Sequence, residues 1–94
     1  MPLKALTHSR VVTILNQRGL HARAAARFVK TAGEFKSDIA VCRNGQTVSG
    51  LSIMGLMMLA AGIGSEIEIT CSGADAETAM QALADMIANK FEEE

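Results

Sequence analysis

The sequence contains no tryptophan, no tyrosine and only three phenylalanines among its 94 residues. Surfaces that bind nucleic acid commonly combine a basic patch with aromatic side chains that stack on bases. This chain has few aromatic residues, and its formal net charge of −1 gives it no overall attraction to polyanions. The composition therefore argues against a nucleic-acid partner and against an anionic membrane surface.

The sequence also lacks a segment that could span a membrane. The apolar stretch at residues 51–63 is too short and too rich in glycine to cross a bilayer. The N-terminus has no basic region followed by an apolar core, so we expect no secretory signal peptide. These features predict a cytoplasmic protein with no membrane insertion.

Cysteine is scarce, and its placement does not suggest a metal site. Cys42 and Cys71 fall in strand-like segments and lack the spacing of metal ligands. This favours reduced, partly buried core thiols, although the sequence alone is also compatible with a disulfide. There is no second carboxylate–histidine constellation typical of a hydrolase, so we expect no metal, no cofactor and no independent enzymatic activity.

Hydrophobic periodicity predicts strands and helices in the order β-α-β-β-α-β-α. Asn44-Gly45 is a strong type I′ hairpin signal between the second and third strands. The predicted strands are residues 10–15, 38–43, 46–49 and 66–71, and the predicted helices are residues 22 to about 32, 53 to about 60, and one that Asp75 caps. We therefore predict a single domain over residues 1–94, of the α+β class, with an antiparallel sheet and helices on one face.

The ends of the chain suggest no further site. His8 lies in a polar segment before the first predicted strand, and we interpret it as a surface residue. The acidic tail, Glu92-Glu93-Glu94, has the composition of a frayed and solvated terminus.

The most informative segment is Gly19-Leu20-His21-Ala22-Arg23-Ala24, where a strand pattern gives way to a helical one. His21 is expected at the helix N-terminus, where backbone N–H groups lack partners and the dipole favours an anion. An imidazole titrates near neutral pH and is a good nucleophile, and Arg23 can add a cationic fork. The combination suggests a histidine that carries a phosphoryl group. Arg23 would neutralise its charge, and the N–H groups of Ala22 and Arg23 would hold its oxygens.

These residues resemble the active-site motif of HPr, the histidine-containing phosphocarrier family of bacterial phosphotransferase systems. A later segment, Ser52-Ile53-Met54-Gly55-Leu56-Met57, is similar to that family's second motif, and the two have the family's separation. The resemblance implies an HPr-like open-faced β-sandwich, with a four-stranded antiparallel sheet covered by three helices. It also implies that His21 accepts a phosphoryl group from enzyme I and passes it to an enzyme IIA-type acceptor. Family precedent places the group on Nδ1, although the sequence itself does not decide which ring nitrogen reacts.

Two differences from the usual HPr sequence indicate which branch of the family this chain resembles. Many HPr proteins have proline directly after the active-site arginine, whereas this chain has Ala24. Alanine is an acceptable helix former, so we expect the site to survive. The runs Ala24-Ala25-Ala26 and Met57-Met58-Leu59-Ala60-Ala61 are more similar to the nitrogen-related branch, often called NPr. Sugar transport and nitrogen regulation both stay open as the pathway served.

Ser52 has two interpretations. It is well placed to cap the helix that follows it, a contribution worth about 1 kcal/mol. The resemblance implies a regulatory phosphorylation site for an HPr kinase/phosphorylase, where a phosphate would add negative charge beside the partner-binding surface. Use of that site depends on whether the organism has the kinase.

The short helix is also expected to form a docking surface. Ile53, Met54 and Met57 share one side of it, and exposed methionines adapt to several partners. The positive side chains of the first helix could rim this surface and steer acidic partners, although alone they would be a solvated helix face; they are Arg23, Arg27 and Lys30. The leading hypothesis is a monomeric covalent phosphocarrier. The alternative is a non-catalytic protein-binding regulatory module of the same fold, but such a module has no need for both His21 and Arg23.

Overall fold

The computed structural model describes residues 7–93. The four strands are β1 (Thr7–Thr13), β2 (Asp38–Arg43), β3 (Gln46–Ser49) and β4 (Glu66–Ser72). The helices are α1 (Ala22–Ala32), α2 (Ile53–Met58) and α3 (Ala76–Ala88), followed by a 3-10 turn at Lys90–Glu92. The strands form one antiparallel sheet in the order β1-β4-β2-β3. The predicted α+β class and element order are confirmed.

Local signals predicted the bounds of α1, β2 and β3 correctly. The turn between β2 and β3 has φ angles of 52° at Asn44 and 81° at Gly45. Both residues are therefore left-handed, as a type I′ turn requires. This turn sets the register in which Val41 of β2 lies opposite Val48 of β3.

The predicted bounds of two elements, β1 and α2, were wrong. The first strand begins at Thr7 and ends at Thr13, so it includes His8, which is half-buried opposite Cys71. Ile14 leaves the ladder because its N–H donates to Ser65 O at 2.8 Å and its carbonyl accepts from Gly64 N at 2.8 Å. The second predicted helix ends early as well, at Met58, and Ala60 then adopts a φ of 53°.

The core lies between the sheet and the helices. Alternate residues of β4 are buried, and Ile69 and Cys71 lie opposite Val41 and Ile39 on the same face of the sheet. An apolar stripe of α3 is buried against them; its members are Ala76, Ala79, Met80, Leu83 and Ile87. Both cysteines are free thiols, with Cys71 buried and Cys42 half-buried. Burial, with a smaller contribution from Asp75, raises the pKa of the Cys71 thiol.

Asp75 does not cap α3 with its side chain, contrary to the prediction. Its carboxylate instead accepts hydrogen bonds from Ser37 Oγ at 2.5 Å and from the Lys36 amide at 2.8 Å. These hydrogen bonds, that of Ser37 first, hold the pKa of Asp75 below its ordinary value. The residue therefore joins the start of α3 to the segment before β2.

Candidate functional site

A tight turn between β1 and α1 positions His21. Gly19 has a φ of 65°, and its N–H donates to Asn16 O at 3.1 Å. The next amide, that of Leu20, donates to the carbonyl of Ala61 at 2.9 Å. A Cβ at position 19 would lie 2.5 Å from that carbonyl oxygen, so only glycine fits. The turn is thereby tied to the loop that follows α2.

His21 is the N-cap residue of α1. Its backbone is extended, with φ −78° and ψ −179°, and its side chain makes no capping hydrogen bond. Its carbonyl accepts the N–H of Ala25 at 2.8 Å, which begins the helical ladder. The N–H groups of Ala22 and Arg23 therefore precede the ladder, at the positive end of the helix dipole. This is the position that the motif predicted for His21.

The imidazole of His21 contacts a carboxylate from the other end of the chain. Its Nε2 forms an ion pair and hydrogen bond with Oε2 of Glu93. The second carboxylate oxygen, Oε1, accepts a hydrogen bond from Asn16 Nδ2 at 2.9 Å. Asn16 is fully buried, and the same amide group also donates to Gly19 O at 2.8 Å. One carboxylate thus connects the histidine to the turn that precedes it.

Glu93 is ionised at neutral pH. Its burial alone would raise the pKa of the carboxyl group. The hydrogen bonds from Asn16 and His21 and the charges of His21 and Arg18 act in the opposite direction and prevail, so the pKa of Glu93 lies below its ordinary value of 4.5. The side chain of His21 consequently faces a full negative charge.

The prediction of a frayed acidic tail is wrong for the described part of that tail. Phe91 is fully buried and anchors the 3-10 turn, which brings Glu93 back to His21. Glu92 is exposed and pairs with Arg27 at 3.3 Å, while Glu94 lies outside the described residues. One signal for this packing is in the sequence, because Phe91 continues the buried stripe of α3 at helical spacing after Ile87.

The same contact leaves His21 largely covered. Only 17% of its side chain is accessible, because Glu93 covers the Nε2 edge of the ring. Arg23, in contrast, is exposed, and within residues 7–93 its guanidinium has neither a hydrogen bond nor an ion pair. Lys30 is exposed on the same helix. The structure therefore leaves Arg23 available to an incoming anion.

The helix α2 presents an exposed apolar surface. Ser52 caps the helix as predicted, with its Oγ accepting the N–H of Gly55 at 2.9 Å. Leu56 and Leu59 are buried. The exposed members, hereafter the α2 surface, include two residues that sequence reasoning missed, Leu51 and Met58; the others are Ile53, Met54 and Met57. Met54 is the most exposed of them, at 69%.

Residues 7–93 contain neither a cluster of potential metal ligands nor a helix that could span a membrane. No group of three or more histidine, cysteine, aspartate or glutamate side chains is arranged to hold a metal ion there. None of the helices in that range combines the length and apolar character needed to cross a membrane.

Comparison with known proteins decides the family. A family model described as the PTS HPr component phosphorylation site matches residues 8–89. The phosphocarrier protein HPr of Cupriavidus necator is 51% identical over 84 residues, which cover 89% of this chain and 94% of the relative. The chain belongs to the HPr family. HPr proteins are phosphocarriers of the phosphotransferase system, so a role as a non-catalytic carrier follows from membership.

Solved structures of HPr proteins share the fold. HPr-C-His from Thermoanaerobacter tengcongensis superposes with a TM-score of 0.89 at 42% identity and covers 93% of this chain and 98% of its own. An HPr dimer from the same organism has a TM-score of 0.72 at 44% identity, covering 85% and 92% respectively. The open-faced arrangement implied by the resemblance is therefore the architecture of this chain.

Proposed function

We propose that His21 is the phosphoryl acceptor of a phosphoenolpyruvate-dependent phosphotransferase system. It would accept the group from phospho-enzyme I and pass it to an enzyme IIA-type acceptor, with residues 1–94 acting as a single cytoplasmic carrier domain. The observation that supports this best is the position of His21 at the N-terminus of α1, two residues before an arginine without a partner among residues 7–93. Helix N-termini and arginine forks are both favourable environments for a phosphoryl group.

The transfer is a nucleophilic displacement at phosphorus. A ring nitrogen of His21 donates its lone pair to phosphorus, and the bond from phosphorus to the donor atom of enzyme I breaks. The bonding electron pair leaves with that donor atom. Arg23 and the N–H groups of Ala22 and Arg23 would stabilise the charge on the phosphoryl oxygens during the transfer. The same steps in reverse deliver the group to the next protein.

The partner surface in this proposal combines cations with apolar side chains. Arg23, Arg27 and Lys30 supply positive charge along α1, and α1 packs against α2. The α2 surface supplies exposed methionines, which can adapt to enzyme I and to an acceptor in turn. Electrostatic steering would favour acidic partners.

Ser52 is a second candidate site on this surface. Its Oγ faces the N–H of Gly55, so a phosphate there would lie at the start of α2 and beside the exposed methionines. Where the organism has an HPr kinase/phosphorylase, we propose that phosphorylation of Ser52 weakens docking of acidic partners through charge repulsion. Mass analysis after incubation with the kinase and ATP tests this, with Ser49→Ala as the control and Ser52→Ala expected to abolish the modification.

The decisive experiment for the carrier function compares the two histidines of the chain. The protein is incubated with phosphoenolpyruvate and enzyme I, and its intact mass is measured before and after mild acid. We expect an acid-labile gain of one phosphoryl group in the wild type and in His8→Ala, and none in His21→Ala. An unchanged gain in His21→Ala would contradict the assignment. No gain in the wild type would favour the alternative, a protein-binding regulatory module without phosphotransfer.

The same assay separates the remaining alternatives. A faster gain with the sugar-type enzyme I would indicate sugar transport, and a faster gain with the nitrogen-type enzyme would indicate nitrogen regulation. We propose that the carrier is a monomer, and sedimentation before and after phosphorylation checks this, since a related HPr forms a dimer.

A further inference from the structure

The buried amide of Asn16 can adopt only one orientation. Its Nδ2 donates to two acceptors, Gly19 O at 2.8 Å and Glu93 Oε1 at 2.9 Å, while its Oδ1 is buried and finds no hydrogen-bond partner among residues 7–93. The opposite orientation would place Oδ1 against two oxygens that cannot donate a proton. A buried acceptor without a hydrogen bond lowers the stability of the fold. Asn16 therefore holds the carboxylate of Glu93 in place at the cost of leaving its own Oδ1 unpaired.

The tail that carries Glu93 is held in an unusual backbone conformation. Lys90, Phe91 and Glu92 have φ angles of 56°, 55° and 61°, a region that residues other than glycine seldom occupy. Such a strained backbone persists only where the packing around it holds it in place, and it often occurs at a functional site. Here the buried ring of Phe91 provides that anchorage, and the result is the contact between Glu93 and His21.

The contact determines where the imidazole carries its proton. An ionised carboxylate only accepts hydrogen bonds, so the ring nitrogen that faces Glu93 must be Nε2–H. A neutral imidazole carries one ring proton, which leaves the lone pair on Nδ1. Within residues 7–93 no side-chain capping bond occupies that lone pair. Nδ1 is thus the nitrogen left free to attack.

We infer that Glu93, held by Asn16, is a positioning residue for His21: it selects the Nε2–H tautomer and so makes Nδ1 the phosphoryl-accepting atom. This inference rests on the proposed function of His21. It differs from the expected roles of Arg23 and the helix N-terminus, because Glu93 acts through the imidazole and not on the phosphoryl oxygens.

The carboxylate also has a part in the transfer itself. When Nδ1 forms its bond to phosphorus, the donor atom departs with its electron pair and the ring, which keeps its proton on Nε2, becomes cationic. Glu93 then faces a positive ring and stabilises it, as a carboxylate does for the histidine of a catalytic triad. The proton stays on Nε2 throughout, so the step needs no other acid or base.

The variant Glu93→Gln tests the inference sharply. Asn16 donates toward position 93, so the carboxamide oxygen of the substituted side chain must face Asn16 and its amide hydrogens must face His21. The ring would then have to accept at Nε2 and carry its proton on Nδ1. The matched control is Glu92→Gln, because Glu92 lies in the same tail but pairs with Arg27.

The first readout is the tautomer of the unphosphorylated protein, from long-range ¹H–¹⁵N spectra of the His21 ring recorded where it is neutral. We expect Nε2–H in the wild type and in Glu92→Gln, and Nδ1–H in Glu93→Gln. Glu93→Ala, which removes the acceptor without adding a donor, should populate both tautomers and provides the test should Glu93→Gln fold poorly. A wild-type ring protonated on Nδ1 would overturn the inference.

The second readout is the rate of phosphoryl transfer from enzyme I. We expect Glu93→Gln to slow transfer on the order of tenfold or more, and Glu92→Gln to leave the rate unchanged. An Nε2–H tautomer and a wild-type rate in Glu93→Gln would also overturn the inference. Failure of the proposed function would appear separately, as a wild-type protein that accepts no phosphoryl group even though its tautomer is the expected one.

Discussion

At the scale of single residues, His21 receives support from two parts of the chain. The N-terminus of α1 and Arg23 are adjacent to it in sequence, and in the proposed function they would face the incoming phosphoryl group. Glu93 is 72 residues away and occupies the Nε2 edge of the ring. In the proposed function the two kinds of support act on different charges, since the first would stabilise the transferred anion and the second would stabilise the imidazole ring that carries it.

Replacing Arg23 should separate transfer from folding. Because Arg23 is exposed and without a partner among residues 7–93, Arg23→Ala should change the free energy of unfolding by less than about 0.5 kcal/mol. Loss of its charge should slow phosphoryl transfer on the order of 100-fold. Arg10→Ala, at another exposed position, is the control and should alter neither quantity. Urea unfolding and a single-turnover transfer assay measure the two effects, and a large loss of stability in Arg23→Ala would assign it a structural role.

Residues could be predicted from the sequence where their environment is local. His21 and Arg23 lie within one short motif, and the cap that Ser52 provides needs only the next three residues. Glu93 could not be predicted in this way, since three consecutive glutamates at a chain end have the composition of a solvated tail. Its role depends on the packing of Phe91 and on the buried amide of Asn16, both of which are tertiary features.

At the scale of elements, α2 is a short helix that is buried on one side and exposed on the other. Leu56 and Leu59 fix it to the core, while Met54, Met57 and Met58 remain exposed. A helix of this length has little intrinsic stability, so its cap and its packing must supply most of it. The cap is Ser52, which is also the candidate regulatory site.

Removal of the cap should destabilise the protein measurably. Ser52→Ala leaves the Gly55 N–H without its acceptor and should lower the free energy of unfolding by about 1 kcal/mol. Ser52→Asp keeps a capping carboxylate and should retain most of that stability, while its charge weakens transfer from enzyme I. Chemical unfolding of both variants beside Ser49→Ala provides the test. Equal stability of Ser52→Ala and the wild type would show that the cap contributes nothing.

The α2 surface should affect recognition more than chemistry. Met54→Ala should raise KM for enzyme I several-fold with little change in kcat, because in the proposed interface the exposed methionine would contact the partner and not the transferred group. Val11→Ala is the matched control, since Val11 is similarly exposed but lies on β1. An identical KM for Met54→Ala and the wild type would remove this helix from the proposed interface.

Element boundaries differed in how far the sequence could predict them. The extents of β2 and β3 follow from the turn at Asn44-Gly45, whose geometry is a local property. The end of β1 depends on Ile14, which bonds to the loop at residues 64–65 instead of continuing the ladder. The end of α2 depends on Ala60, a residue that carries no helix-stop signal and still adopts a positive φ.

At the scale of the whole molecule, two carboxylates connect distant parts of the chain. Glu93 joins the C-terminal turn to Asn16 and His21, and Asp75 joins the start of α3 to residues 36–37. The pKa values of both groups lie below their ordinary values of 4.5 and 3.8. Their contacts therefore stabilise the folded state only while the carboxylates are ionised.

The sign of the pH dependence follows from these shifts. A lowered pKa in the folded state contributes stability that is complete above the ordinary value and is lost as the pH falls through the lowered one. The free energy of unfolding should thus decline below about pH 4.5. The decline should be shallower in the double variant Glu93→Gln, Asp75→Asn, whereas the exposed control Glu77→Gln should follow the wild type. Urea midpoints measured from neutral to acidic pH test this, and equal slopes in all three proteins would contradict it.

The most direct test of the account is to locate the phosphoryl group on the protein. Wild-type protein labelled with ¹⁵N in its histidine rings is phosphorylated by enzyme I and phosphoenolpyruvate, and the nitrogen–phosphorus coupling is measured by NMR. We predict that phosphorus couples to Nδ1 of His21 and to no other ring nitrogen. Coupling to Nε2 of His21, or to either nitrogen of His8, would contradict the account.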